Sequence, residues 1–290
     1  MDWGTKLMVA IHGKTRVICI IGDPIGHTLS PLMHNAAFAA GNLDYVYVPF
    51  AVSSENLERA VSGMRALGVC GFNVTIPHKT AIIPYLDRLN ESAECAGAVN
   101  TVQLCGNNLI GYNTDGDGLV DSLSTDLDYS PGDGQILVVG AGGAARGAIA
   151  ALCRSGVKNI LISNRSIENA RVIMLDMQVR YPETHIDVVG QENLSEADLG
   201  VTNLLINTTS LGMDGERIAG VNVTFLHEQA KVYDMVYSRT GTPLVKDASA
   251  SGLRAVNGLG MLIAQGERAF EIWTGQKPPK GVMRQALGHV

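Results

Sequence analysis

The sequence predicts an α/β protein with two domains, each built on its own series of strands and helices. At 290 residues the chain has room for two domains of ordinary size, and its 46% hydrophobic and 17% charged residues suit packed cores. Apolar strand-like runs alternate with helix-like segments in both halves, a pattern typical of sheets with parallel strands. The most loop-like stretch between the halves, residues 130–134, reads Ser-Pro-Gly-Asp-Gly and separates the two series.

The first series begins with an almost wholly apolar run at residues 16–21, which predicts a buried strand. A helix is expected next, with Ser30 as its N-cap and Pro31 in its first turn, running through about residue 40. The remaining elements predicted in this half are strands at residues 45–48 and 70–75 and a helix at residues 55–67.

The second series predicts a doubly wound nucleotide-binding fold, because several of its strands are separated by helical stretches. Its strands are expected at residues 135–139, 159–163, 186–189, 204–207 and 232–236. A helix with a broad apolar surface then opens at Asn257-Gly258, runs through about residue 274, and is expected to return to the first domain. The predicted domains are residues 1–116, residues 117–256, and C-terminal helices at residues 257–290 that pack on the first domain.

Charge and composition exclude several classes of function. The formal charge of −6 and the pI near 5.6 argue against a nucleic-acid partner, which calls for a basic face. No apolar stretch is long enough to span a bilayer, and the N-terminus lacks the apolar region of a signal peptide. The five cysteines are dispersed without a Cys-x-x-Cys spacing, so we expect reduced thiols in a cytoplasmic protein, with no disulfide and no metal site.

Residues 138–145, Val-Val-Gly-Ala-Gly-Gly-Ala-Ala, fit the dinucleotide-binding pattern Gly-x-Gly-x-x-Gly/Ala. Gly140 permits the tight turn, Gly142 lets the backbone approach a pyrophosphate, and Ala145 allows the helix to pack closely on the strand. The helix that follows presents N–H groups to the phosphates. A plain glycine-rich turn is the alternative, but a strand before and a helix and strand after favour the nucleotide site. The residues whose backbone is expected to line this nucleotide site are Gly140, Ala141, Gly142, Gly143 and Ala144.

The end of the next predicted strand indicates which dinucleotide binds. A site selective for NAD usually has Asp or Glu here to hold the ribose hydroxyls, whereas this chain has Asn164-Arg165-Ser166. A guanidinium suits a 2′-phosphate in both charge and geometry. The sequence therefore favours NADP, with a solvated residue at a helix start as the alternative for Arg165.

Lys79 and Asp115 are the candidate acid–base groups. Lys79 follows Pro77 at the end of an apolar strand, and its ammonium can donate a proton to a substrate oxygen as hydride arrives. Asp115 is expected to orient the lysine and bind a substrate hydroxyl. A local turn or helix cap at Asn113-Thr-Asp-Gly116 is the structural alternative for Asp115.

Several runs together resemble the shikimate dehydrogenase family, which includes quinate/shikimate dehydrogenases. They occur in the family's order and cover nearly the whole chain beyond an N-terminal extension of about a dozen residues. The matching runs are residues 22–31 with His34 and Asn35, and residues 73–79, 96–101, 111–116, 140–145, 164–166 and 257–265.

The resemblance implies an N-terminal α/β substrate domain, a Rossmann-like NADP-binding domain, and reversible reduction of 3-dehydroshikimate to shikimate with NADPH. It implies Lys79 as the catalytic acid and base, with Asp115 beside it. The implied substrate-binding residues are Thr28, Ser30, Thr75, Asn100, Asp115, Tyr237 and Gln265. The implied cofactor residues, besides the glycine turn, are Glu91, Asn164, Arg165, Ser166, Met235 and Gly258.

Two positions depart from the family pattern. Thr28 stands where the family usually has Ser, and Asn169 stands where many NADP-using members have a second basic residue. The alternative that these positions leave open is a quinate/shikimate or aminoshikimate dehydrogenase with broader substrate or NAD use. A separate alternative, of a different class, is a non-catalytic dinucleotide-binding sensor. A homodimer is compatible with the sequence, which assigns no interface.

Overall fold

The computed structural model describes residues 10–130, 132, 134–238 and 241–288, which form two compact units. The first unit contains the described residues up to Glu94, Ala98–Thr114, and the described residues from Gln265 onward. The second contains Cys95–Gly97 and Asp115–Ala264. The last helices therefore belong with the first unit, which confirms the return of the chain expected from the sequence.

The first unit contains a mixed sheet, with six strands within the described residues. The strand order is β2-β1-β3-β5-β6-β4. The strands are β1 (Arg16–Gly22), β2 (Tyr45–Ala51), β3 (Gly71–Val74), β4 (Arg88–Leu89), β5 (Thr101–Cys105) and β6 (Asn108–Tyr112). The strands expected at residues 16–21, 45–48 and 70–75 are confirmed as β1, β2 and β3.

The sheet differs from the expectation of parallel strands at β5 and β6. β1 pairs in parallel with β2 and β3, but β5 pairs antiparallel with both β3 and β6. Cys105 lies opposite Asn108, so Gly106 and Asn107 form a two-residue hairpin loop. Gly106 has a φ of +62°, a conformation that such tight hairpin turns require and that glycine adopts without strain.

The helix expected at residues 30–40 is confirmed as α1, although Ser30 is not its N-cap. α1 (Ser30–Ala40) has Leu29 at the N-cap position and no side-chain capping bond there. Ser30 is instead the first helical residue, and it is buried. The other helices that begin in this unit are α2 (Leu57–Ala66), α3 (His78–Ala81), α4 (Glu91–Ala96) and α11 (Val282–Gly288).

The second unit contains a sheet of six strands in the described part of the chain, all of them parallel. Their order is β12-β11-β10-β7-β8-β9, which is that of a Rossmann fold. The strands are β7 (Gln135–Val139), β8 (Asn159–Asn164), β9 (His185–Gly190), β10 (Thr202–Asn207), β11 (Lys231–Asp234) and β12 (Arg254–Asn257). The strand order reverses between β7 and β10, where such sheets bind ligands at the carboxyl ends of their strands.

Both faces of this second sheet are buried, as expected for parallel strands flanked by helices. Ile136 and Val138 point into one apolar cluster, whereas Leu137 and Val139 point into another. The helices of this unit are α5 (Asp115–Leu127), α6 (Gly143–Arg154), α7 (Ile167–Arg180), α8 (Glu196–Gly200), α9 (Pro243–Ala250) and the start of α10 (Leu259–Thr274). Within the described residues, none of the helices has the length and apolar character to cross a bilayer.

Candidate active site

A buried polar network lies at the carboxyl end of β3 in the first unit. The Tyr47 hydroxyl donates to Asn73 Oδ1 at 2.6 Å, and Asn73 Nδ2 donates to the Asn100 carbonyl and to Thr101 Oγ1, each at 3.0 Å. Burial raises the pKa of Tyr47 well above its usual value, so the phenol stays neutral and can act as a donor.

Asn100 is the second centre of this network. Its Oδ1 accepts hydrogen bonds from the Thr114 N–H at 2.8 Å and the Thr101 hydroxyl at 3.0 Å, and its Nδ2 donates to Thr114 Oγ1 at 2.9 Å. Asn100 is only 3% exposed, and buried polar side chains tied in this way keep one orientation.

Lys79 lies in the short helix α3, beyond a cis peptide bond between Ile76 and Pro77. The Val99 N–H donates to the Lys79 carbonyl at 2.7 Å, which fixes this helix to the segment that carries Asn100. Buried His78 anchors the same helix through its Nε2, 2.7 Å from the Val52 carbonyl oxygen. The Lys79 side chain is partly exposed, so a substrate can reach it.

The other expected substrate residues of the first unit are Thr28, Ser30, Thr75 and Gln265. The Ser30 N–H donates to Thr28 Oγ1 at 3.4 Å, so these two hydroxyl residues lie close together at the start of α1. Thr75 immediately follows β3 and is partly exposed, and Gln265 is 8% exposed on α10. Glu91, expected near the cofactor, is exposed at the start of α4.

In the second unit, Asp115 is the first residue of α5 and is partly exposed. A carboxylate in the first turn of a helix is favoured by the helix dipole, so the helix-start role proposed as an alternative is compatible with its position. The next residue must be small, because a Cβ atom on Gly116 would lie 2.5 Å from the Gly147 carbonyl oxygen.

The glycine turn between β7 and α6 has the geometry of a phosphate cradle. Gly140 has a φ of +111°, and a Cβ atom there would lie 2.5 Å from Thr208 Oγ1 at the end of β10. Cβ atoms on Gly142 and Gly143 would meet nothing within 4 Å among the described residues. The backbone face before α6 is therefore uncovered, and it fits a pyrophosphate at the helix N-terminus. Ala141 is partly buried and Ala144 is exposed.

Asn164 is the last residue of β8, and Arg165 and Ser166 form the turn that leads into α7. Asn164 Nδ2 donates to the Ser166 carbonyl at 2.8 Å, which holds the turn closed. Arg165 and Ser166 are exposed, and the turn offers a guanidinium and a hydroxyl where an acidic residue would hold NAD. This donor set fits a 2′-phosphate.

Met235, Tyr237 and Gly258 lie beyond the carboxyl ends of β11 and β12. Gly258 requires the absence of a side chain, because a Cβ atom would lie 2.2 Å from the Met235 carbonyl oxygen. Met235 and Tyr237 are both partly exposed.

Sequence reasoning assigned no role to several polar residues near these positions. Asn73 stands inside a run that was singled out for Lys79, and Tyr47 stands in a strand-like run, where alternation alone predicts a core residue. The β10–β11 pair Asn207 and Asp234 is buried, and it joins residues that are 27 apart in sequence. Burial raises the pKa of the Asp234 carboxyl, although bonds from Thr242, Val236 and Asn207 oppose the rise.

The described residues hold no cluster of three or more side chains suited to a metal ion. All five cysteines carry free thiols.

Comparison with known proteins identifies the family. Residues 20–102 match the shikimate dehydrogenase substrate binding domain, residues 126–210 match shikimate / quinate 5-dehydrogenase, and residues 258–287 match the shikimate 5′-dehydrogenase C-terminal domain.

Full-length relatives agree with these matches. The chain is 51% identical to the NADP(+) shikimate dehydrogenase of Geobacter metallireducens, over 96% of this chain and 97% of the relative. A crystal structure of a shikimate dehydrogenase in complex with NADP+ matches with a TM-score of 0.90 at 38% identity, covering 98% of this chain and 99% of the other.

A solved structure with a different name is also similar to this chain. A 5-ketofructose reductase of Gluconobacter matches with a TM-score of 0.88 at 33% identity, covering 96% of this chain and 99% of that one. Its identity is lower than that of the shikimate dehydrogenases above. The domain matches and the full-length identity together show that the chain belongs to the shikimate dehydrogenase family.

Proposed function

We propose that the chain catalyses the NADP-dependent, reversible reduction of 3-dehydroshikimate to shikimate, a step in the biosynthesis of chorismate and the aromatic amino acids. The observation that carries this proposal is Lys79, held by Val99 beside the Asn100 network, in a chain 51% identical to an NADP(+) shikimate dehydrogenase.

Lys79 is the proton donor and acceptor in this proposal. When the substrate carbonyl is reduced, its oxygen gains negative charge, and the Lys79 ammonium supplies the proton that completes the alcohol. In the reverse direction the amine removes that proton. Asp115 is the second catalytic residue, and its carboxylate accepts a hydrogen bond from a substrate hydroxyl.

The substrate carboxylate is assigned to the Thr28 and Ser30 hydroxyls, and the ring hydroxyls are assigned to Thr75, Asn100, Asp115 and Gln265, with Tyr237 lining the site. The network around Asn73 and Asn100 supports this assignment, because side chains whose orientations are already fixed lose little conformational entropy when they bind a polyol.

NADP is assigned to the second unit, where its reduced form, NADPH, would supply the hydride for the reduction and NADP+ would accept it in the reverse direction. The backbone of residues 140–144 holds the pyrophosphate, and Asn164, Arg165 and Ser166 hold the 2′-phosphate and the adenosine. Met235 and Gly258 line the nicotinamide side, and Glu91 is the further cofactor residue. The uncovered backbone at Gly142 and Gly143 supports this assignment.

The domain assignment, residues 1–116 for substrate, 117–256 for NADP and 257–290 as C-terminal helices, belongs to the same proposal. A cytoplasmic location is supported by the five free thiols, which suit a reducing compartment. A homodimer stays a prediction.

The second candidate is a quinate/shikimate dehydrogenase with broader substrate or NAD use. Thr28 favours it, because the methyl group that serine lacks changes the space around the substrate carboxylate. A non-catalytic dinucleotide sensor is disfavoured, because cofactor binding alone does not call for the Lys79 and Asp115 pair.

The deciding experiment measures absorbance of reduced nicotinamide after shikimate or quinate is added with NADP+ or NAD+. We expect kcat/KM to be highest for shikimate with NADP+. Dominance of quinate with NAD+ would favour the second candidate, and cofactor binding without turnover of either substrate would favour the sensor.

A further inference from the structure

The carboxyl ends of β10 and β11 are joined by two buried side chains, Asn207 and Asp234, each 0% exposed. Asn207 Nδ2 donates to Asp234 Oδ1 at 2.8 Å and to the Leu211 carbonyl at 3.1 Å. Asn207 Oδ1 accepts from the Thr209 N–H at 3.0 Å and the Thr209 hydroxyl at 2.7 Å. Both donors and both acceptor sites of the amide are therefore used.

Asp234 is held by donors from three places in the chain. Besides Asn207, the Val236 N–H donates to Oδ1 at 3.0 Å and the Thr242 hydroxyl donates to Oδ2 at 2.6 Å. Thr242 also caps α9, where its Oγ1 accepts from the Val245 N–H. The Asn207–Asp234 pair thus fixes the segment after β10, the segment after β11 and the start of α9.

The two fixed segments are the ones that border the proposed cofactor site. Thr208 lies against Gly140 of the glycine turn, and its hydroxyl donates to the Val139 carbonyl at 2.7 Å. Met235 donates its N–H to the Asn207 carbonyl at 2.9 Å, and its own carbonyl packs against Gly258. Asn207 and Asp234 themselves are buried and offer no polar atom to a ligand.

We propose that the Asn207–Asp234 pair is a positioning pair, which sets the nicotinamide end of the cofactor site through Met235, whose carbonyl packs against Gly258. The pair does not set the adenosine end, whose residues lie on the β8–α7 turn and make no described bond to it. This inference rests on the proposed NADP-dependent function.

The two ends of the site can be separated by two ligands. NADP+ occupies both ends, whereas adenosine 2′,5′-bisphosphate carries the adenosine and 2′-phosphate without nicotinamide. Titration calorimetry of the full chain with each ligand gives two dissociation constants per variant. We expect Asp234→Ala to weaken NADP+ about tenfold while binding of the bisphosphate changes less than twofold.

Asp247→Ala is the matched control, because Asp247 lies in the same unit but is only partly buried and pairs with the exposed Arg217. It should leave both dissociation constants unchanged. Equal weakening of both ligands by Asp234→Ala, or no weakening of either, would overturn the positioning role. An unmodified chain that binds neither ligand would overturn the proposed function as well, so the two failures are distinguishable.

If Asp234→Ala does not fold, the same test is made at Thr242. Thr242→Val removes one donor to Asp234 at nearly constant volume, and Thr242→Ser keeps the hydroxyl. We expect the valine variant to weaken NADP+ about threefold and the serine variant to match the unmodified chain. Identical NADP+ affinities for the two variants would overturn the proposal.

Discussion

The Val99 N–H donates to the Lys79 carbonyl oxygen at 2.7 Å, although the two residues belong to different segments of the first unit. This bond couples the helix that carries the proposed acid–base lysine to the segment that carries Asn100. Since the bond is made by the backbone, a substitution of the Lys79 side chain leaves it in place.

Lys79→Ala is therefore expected to remove the chemistry without removing the fold. Loss of a general acid lowers kcat by about 10²–10⁴-fold, whereas the dissociation constant of NADP+ stays within about twofold because the cofactor residues are elsewhere. Steady-state kinetics with shikimate and titration with NADP+ test this. Lys14→Ala, at an exposed lysine of the same unit, is the control, and an unchanged kcat for Lys79→Ala would exclude the proton-transfer role.

Arg165→Gln should reduce the preference for NADP over NAD. A hydrogen bond to a charged group is worth about 1.5–3 kcal/mol, so we expect the dissociation constant of NADP+ to rise about tenfold or more while that of NAD+ is little affected. Arg171→Gln, at a residue of α7 that pairs with Glu168, should change neither. A parallel loss of affinity for both cofactors would show that Arg165 does not read the 2′-phosphate.

Gly71 and Gly63 provide a matched pair for stability. A Cβ atom on Gly71 would lie 2.3 Å from the Trp273 ring and 2.7 Å from the Val102 carbonyl oxygen, so Gly71→Ala should lower the free energy of unfolding by about 1–3 kcal/mol. A Cβ atom on Gly63, inside α2, would meet nothing within 4 Å among the described residues. Gly63→Ala should therefore raise the free energy of unfolding by about 0.5–1 kcal/mol. Urea unfolding measures both, and equal effects would contradict the proposed packing.

His34 should make the stability of the protein depend on pH. Its ring stacks on Tyr47 at a centroid distance of 4.5 Å, and burial lowers its pKa to about 3. An unfolded histidine has a pKa of ~6.5. At a pH between the folded-state and the unfolded-state pKa, the unfolded chain therefore binds one proton at this histidine that the folded chain does not bind. The free energy of unfolding is then highest above pH ~6.5 and falls as the pH is lowered toward the folded-state pKa, by an amount on the order of 4 kcal/mol.

The test compares urea unfolding at pH 7 and pH 4.5 for the unmodified chain and for His34→Phe. The phenylalanine variant keeps an aromatic ring against Tyr47 but removes the titrating group, so its stability should vary less with pH. His185→Gln, at an exposed histidine paired with Asp187, should keep the pH dependence of the unmodified chain. An unchanged pH dependence in His34→Phe would exclude His34 as its source.

The parts of the fold predicted from sequence are those with a local signal. The apolar run at residues 16–21 and the glycine turn at Gly140 each depend on neighbouring residues, and both form as predicted. The hairpin of β5 and β6 was missed although a signal was present, since Gly106-Asn107 separates two strand-like runs. Ser30 was misplaced by one position, because the helix begins at Ser30 itself and no side-chain hydrogen bond caps it.

The network residues could not be found in this way. Asn207 and Asp234 meet only because β10 and β11 pair in parallel, with Asn207 opposite Asp234. Similarly, Tyr47 reaches Asn73 because β2 and β3 both flank β1. Such partners follow from strand order, which a single sequence does not state.

The position of Trp273 has a consequence for when the sheet of the first unit can be completed during synthesis. Its indole Nε1 donates to the Val102 carbonyl at 2.9 Å and its ring covers Gly71, so the last helices complete a sheet whose strands leave the ribosome much earlier. The second unit has all of its residues before Gln265, so its residues are synthesised before Trp273. Trp273 follows all of the second unit in the chain, so a chain that stops before α10 would leave Gly71 and the Val102 carbonyl without the indole that covers them.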